Sequence, residues 1–161
     1  MMRTKLAAAV MLAVLALAPS ARADDKLAGS WKLQSWIAEE VESKEQKAIF
    51  GEQPNGYLIL TREGRMMGLL TAQGRKAPQN EAERDAAFRS MLAYSGRYRL
   101  DGGKFITKVD TAWNEAWVGS EQAREFRLEG GVLQVMSPPS SNPAFGGKPA
   151  RGIFTFVRES N

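Results

Sequence analysis

Short runs in which apolar and polar residues alternate, each closed by a turn signal, recur along most of this chain and limit its possible folds more than any other feature. A period of two puts neighbouring side chains on opposite faces of a strand. Residues 29–38 (GSWKLQSWIA) open the series, with Trp31, Leu33, Ser35 and Ile37 on one face and Lys32, Gln34 and Trp36 on the other. Residues 57–61 and 65–71 form a hairpin about Arg62-Glu63-Gly64. Strands follow at 94–100, 104–112, 121–128 and 132–137, turned by Asp101-Gly102-Gly103 and Glu129-Gly130-Gly131, and residues 152–158 (GIFTFVR) make the last. About eight strands of this kind predict an all-β, up-and-down antiparallel barrel, whose closure leaves no exposed edge.

Three stretches break the rhythm. Residues 80–93 (NEAERDAAFRSMLA) carry Asn80 as an N-cap, Glu83 three residues later, and Phe88, Met91 and Leu92 at helical spacing. They predict one short helix on the barrel wall or over its mouth. Residues 138–150 (PPSSNPAFGGKPA) form a long loop, and long loops are usually functional or mobile. Residues 39–47 are charged and read as an exposed strand or loop. Their acidic run Glu39-Glu40-Val41-Glu42 lacks the Asp/Gly pattern of a calcium loop and reads as a solvated face.

The N-terminus reads as a secretory signal peptide. A basic start (MMRTK) precedes the uncharged run 6–18, and small residues then lead to a cleavage point after Ala23. The run is too short for a membrane anchor, which needs about 20 apolar residues. The expected mature domain is therefore 24–161, following a signal peptide at 1–23. Arg3, Lys5 and Arg22 leave with the leader, so 22 basic residues against 18 acidic become 19 against 18. The high pI belongs partly to the leader, and neither a nucleic-acid partner nor an anionic membrane is expected.

The chain has no Cys and no His. This excludes a disulfide framework, a thiolate nucleophile, a Cys/His zinc site and a Ser-His-Asp triad. It also excludes an acylated lipobox cysteine. No cofactor or metal is expected. A leader without disulfides or an anchor suggests a bacterial periplasmic or secreted protein.

Several stretches resemble a known family. Gly29-Ser30-Trp31 is similar to the Gly-x-Trp that begins the first strand of lipocalins. Arg158 matches the arginine that lies across that tryptophan. LAGSWKLQSW (27–36), FGEQPNGYLILTREGRM (50–66), AYSGRYRLDGG (93–103), VDTAWNEAWVGSEQAREFRL (109–128) and the terminal FTFVR together resemble the bacterial lipocalin-like domain family over nearly the whole mature chain. The resemblance implies a lipocalin-like barrel, and Gly29, Trp31 and Arg158 as a clasp closing its base rather than a ligand platform. It implies no common activity. Relatives often carry histidine where this chain has Thr107 and Lys108.

Alternation also picks out candidate lumen residues. In AREFRL, Arg124 shares a face with Phe126 and Leu128, which turns its guanidinium inward. A buried guanidinium needs a partner, either an internal acid such as Glu121 or Asp110, or a ligand carboxylate bound through two parallel hydrogen bonds. Tyr57, Tyr94, Tyr98, Trp113 and Trp117 offer apolar surface with one polar tip, as core or as pocket.

Three functions follow as alternatives. The first is an exported module binding a small, mostly apolar or amphipathic molecule, with or without a carboxylate. The second is a filled barrel serving as an envelope interaction or stress domain. The third is an enzyme without histidine, an isomerase, cyclase or hydrolase, using Tyr98, Lys108, Asp110 or Glu121. Open volume inside the barrel separates them.

Overall fold

A computed structural model describes residues 26–159; the signal-peptide reading of residues 1–23 falls outside them. Among the described residues ten strands form one antiparallel sheet: β1 Gly29–Glu40, β2 Gln46–Ala48, β3 Asn55–Leu60, β4 Arg65–Thr71, β5 Met91–Asp101, β6 Lys104–Ala112, β7 Glu121–Glu129, β8 Val132–Met136, β9 Ser140–Ser141 and β10 Pro149–Arg158. Eight of them close into a barrel through the pairing of β1 with β10, while the short β2 and β9 lie beside β1 and β10. One helix, α1 Glu81–Arg89, interrupts the strand order.

The connections sort by length onto the two ends. At one end hairpins turn tightly after Leu60, Asp101 and Glu129, the last two through glycine pairs with positive φ. At the other end lie the long connections 41–54, 72–90, 113–120 and 137–148. The first end is plugged and the second is the mouth. Leu27, Trp31, Leu60, Met66, Phe105 and Leu133 are each no more than 2 % exposed and fill the plugged half.

Three local features depart from simple alternation. The β1–β10 register shifts between Leu33 and Ser35, so Gln34 is an extra residue on β1. Such a bulge inverts the facing of everything beyond it. Alternation groups Ile37 with Trp31 and Leu33; instead Trp36, Ala38 and Glu40 turn in, with Trp36 packed on Phe50 and Phe154. The helix ends at Arg89, and Met91 and Leu92 belong to β5, opposite Thr71 and Leu70. Strand pairing there overrides a spacing that suits a helix equally well. The Asn80 side chain accepts from the Glu83 amide as the sequence predicts, but no residue of α1 is buried. Last, Pro149–Ala150 pair with Ser140–Ser141, so β10 begins inside the expected loop, and Phe145 pins that loop against Ala38 and Ala150.

Glu40 is not a solvated acid. It is 2 % exposed at the end of β1, where its carboxylate accepts from the Glu42 amide at 3.1 Å and the Ser43 amide at 2.6 Å. Hydrogen bonds from the Ser43 hydroxyl and from these amides hold its pKa at about 2, against an ordinary 4.5. A depressed folded-state pKa gives stability that is present above pH 4.5 and lost as pH falls toward 2. The urea midpoint of wild type should therefore exceed that of Glu40→Gln by a constant margin above about pH 5 and converge on it near pH 2. A margin that does not change with pH would contradict this role.

Candidate functional site: the barrel mouth

The interior divides into two spaces. The deeper is a void of about 30 Å3 among apolar side chains that include Leu58, Met66, Phe105 and Phe156. The outer is an open cavity of about 570 Å3 at the mouth. Leu92, Arg124 and Phe154 line both, so they stand where the mouth meets the packed half. A ligand pocket typically spans about 300–1,000 Å3, while about 10–15 Å3 suffices for one water. Of the two interior spaces, the mouth is the one with ligand-sized room.

Each wall of the mouth has a structural cause. On the β1–β10 side, the Gln34 bulge brings Trp36 inward. Its ring centroid lies 4.1 Å from Phe50 and 4.8 Å from Phe154. Across the ring of strands, the bend between β6 and β7 is a single 3-10 turn, Glu115–Trp117, capped by the Asn114 side chain on the Ala116 amide. That turn holds Trp113 and Trp117 edge to face at 5.0 Å. Tyr94 of β5 stands below, edge to face with Trp117 at 5.4 Å. Pro138 and Pro139 form part of the rim.

Arg124 enters from β7 at the floor. Its Nη2 donates to the Gln122 side-chain oxygen at 3.0 Å and its Nη1 to the Ala123 carbonyl at 3.0 Å. Gln122 is itself fixed by donating to the Ser120 hydroxyl at 3.0 Å. The guanidinium carbon lies 6.0 Å from the Trp117 ring centroid. A guanidinium has five N–H donors, so three make no bond with the described residues. No carboxylate of the described residues lies within 4.0 Å of it. The two internal acids expected as partners are elsewhere: Asp110 faces outward, paired with Arg65 at 2.5 Å, and Glu121 faces outward, paired with Arg99 at 3.0 Å. The Tyr94 hydroxyl also makes no hydrogen bond with the described residues. Burial pushes its pKa up, the nearby Arg124 charge pulling the other way, so the phenol stays a neutral donor.

The other candidates fall away from the mouth. Tyr57 lies on the outer face of β3 beside Ile59, because Leu58 and Leu60 take the inward positions; it is corrected from lumen to outer wall. Tyr98 is buried in the plugged half, its hydroxyl donating to the Thr61 carbonyl at 3.1 Å, and it lines neither space. Lys108 is exposed and donates to the Gly119 carbonyl at 2.5 Å. Thr107 is sealed in the barrel, and its hydroxyl finds no partner among the described residues. Of the four acids and bases considered for an enzyme, Tyr98, Lys108, Asp110 and Glu121, none lines the cavity. Trp36, Phe50, Phe154 and Gln122, which do line it, were missed in the sequence. Gln122 and Phe154 could have been found there, since each shares a strand face with a residue already placed inward.

The plugged end carries Gly29, Trp31 and Arg158. The Arg158 guanidinium stacks over Trp31 at 4.2 Å and donates to the Ala28 and Lys26 carbonyls. Trp31 is wholly buried, and its Nε1 donates to the Leu27 carbonyl at 2.8 Å. Gly29 has φ of +143°, and a Cβ there would lie 2.5 Å from Arg158 Nη1, so a side chain would displace the guanidinium.

A closed eight-strand barrel with one plugged end, one open end and an aromatic mouth is the architecture of a small ligand-binding barrel. The family model of the lipocalin-like domain matches residues 28–158, and the chain belongs to that family. No curated protein is recognisably similar to it in sequence. Among the described residues no group of acids suits a metal ion, and no helix is long and apolar enough to cross a membrane.

Proposed function

We propose that this protein is an exported carrier or sensor that holds a small, mostly apolar ligand with an anionic group, a carboxylate, in the barrel mouth. The observation that carries the reading is Arg124. It stands at the floor of a 570 Å3 cavity, and among the described residues three of its N–H donors are free and no acid lies within 4.0 Å. A partly buried cation without an opposite charge beside it is costly, and a ligand carboxylate would offset that cost. Of the two ionised residues lining the mouth, Arg89 is paired with Asp85 at 2.9 Å, which leaves Arg124 as the one without an acid beside it among the described residues. Export rests on the leader pattern of residues 1–23, and it would place the mature domain in a bacterial periplasm or outside the cell.

Native mass spectrometry of protein made with its leader tests both parts. The expected species begins at Asp24 and carries a small-molecule adduct that denaturation removes. Protein that is always empty, and whose melting no lipid or aromatic acid shifts, would defeat the carrier reading.

A second reading has an observation of its own. The outer faces of β3 and β4 expose Ile59, Met67 and Leu69 at 42, 53 and 47 %. This strip favours the interaction domain, and in the same spectrum it predicts assemblies of the chain or a bound protein in place of a small adduct.

A further inference from the structure

We propose that the ligand is a flat aromatic acid bound carboxylate first, its acid group on Arg124 and Tyr94 and its rings between the two aromatic walls of the mouth. The inference rests on the reading that the mouth holds a small anion. It adds the shape of that anion and the way it points.

Volume sets the direction. Inward of Arg124 the lumen keeps only about 30 Å3, room for one or two waters and for neither an alkyl tail nor a ring. The ligand-sized space lies wholly on the other side. A molecule whose charged group reaches Arg124 must therefore leave its apolar body in the mouth. The opposite arrangement, with the tail buried and the acid at the rim, has no space to occupy.

The donors at the floor match one functional group. Arg124 brings a fixed charge with three N–H groups unengaged, held by Gln122, and Tyr94 brings a hydroxyl with no partner of its own. Both side chains line the small void, and Arg124 also lines the mouth above it, so an acid group held on Arg124 faces the void that Tyr94 lines. A carboxylate has two oxygens and accepts from both donors at once.

The walls set the shape. Trp36 and Phe154 on one side and Trp113 and Trp117 on the other present large ring surfaces across the cavity. Rings stack on rings with gain beyond burial alone. A rigid ring also loses less conformational freedom on binding than an alkyl chain of similar area. Gln122 and the guanidinium of Arg124 leave the mouth polar enough to admit an acid.

The test compares 2-naphthoate, methyl 2-naphthoate and decanoate by calorimetry and tryptophan fluorescence. Three of the four tryptophans line the mouth, and Trp31 is sealed at the far end, so fluorescence reports the site. The expected result is that naphthoate binds at least about tenfold tighter than the ester or decanoate. Tyr94→Phe, which keeps the ring, should weaken naphthoate about three- to tenfold and leave the ester unchanged. Decanoate binding as tightly as naphthoate would overturn the flat-ring class and leave the anion reading intact. An ester as tight as the acid, or naphthoate indifferent to Tyr94→Phe, would overturn the carboxylate-first arrangement. If all three probes leave the fluorescence and the heat unchanged, the mouth is no binding site, and both readings fall.

Discussion

Replacing Trp31 with alanine should lower the unfolding free energy by about 3–5 kcal/mol, the cost of emptying a large, fully buried aromatic site. A domain of this size has roughly 5–15 kcal/mol in all, so the loss is a large fraction of the total. The residue does several things at once. It fills the base of the barrel with no exposed surface, its indole N–H holds the Leu27 carbonyl, and its face carries the Arg158 guanidinium. Arg158 in turn holds the Ala28 and Lys26 carbonyls, so the segment before β1 and the end of β10 are joined through this pair. Urea unfolding checks the value, with a midpoint lower by roughly 2 M. Naphthoate affinity, measured where the variant is still folded, should stay at the wild-type level, because the mouth is at the other end. Unchanged urea resistance would show that the stack of Trp31 and Arg158 is incidental.

Arg124→Gln has the opposite profile. Loss of a charged hydrogen-bonding partner for a carboxylate costs about 2–3 kcal/mol of binding, or roughly 30- to 150-fold in Kd. Stability should hold or rise slightly, because the substitution removes a partly buried charge that no internal acid compensates. This split between affinity and stability is the signature of a residue kept for a ligand. A structural arginine would give the reverse, with a lower melting temperature and unaltered affinity. Calorimetric titration with naphthoate beside a thermal melt of the same sample reads both quantities.

The barrel was legible because its signals are local and repeated. Glycine pairs at 102–103 and 130–131 fixed two hairpins, and alternation in AREFRL turned Arg124 inward with Phe126 and Leu128. Where two faces are equally apolar the signal fails. Tyr57 and Ile59 compete with Leu58 and Leu60, and only packing decides that the leucines turn in. Trp36 failed for a different reason. The Gln34 bulge depends on the register between β1 and β10, strands at opposite ends of the chain, and nothing near residue 34 announces it. That one extra residue accounts for the missed Trp36. Met91 and Leu92 fit a helix and a strand alike, and pairing with β4 made the choice. The acids expected beside Arg124 were plausible by distance along the chain. Asp110 and Glu121 sit on outward positions of β6 and β7, and their arginine partners there come from β4 and β5.

On the carrier reading the Arg124 guanidinium, with no acid beside it among the described residues, takes one supplied by the ligand. A crystal structure of the protein soaked with 2-naphthoate reads this directly. Carboxylate oxygens should lie about 2.7–2.9 Å from the Arg124 nitrogens, with the rings among Trp36, Trp113 and Trp117. A naphthoate lying with its acid toward solvent, or an Arg124 turned away to pair with a protein carboxylate, would contradict it.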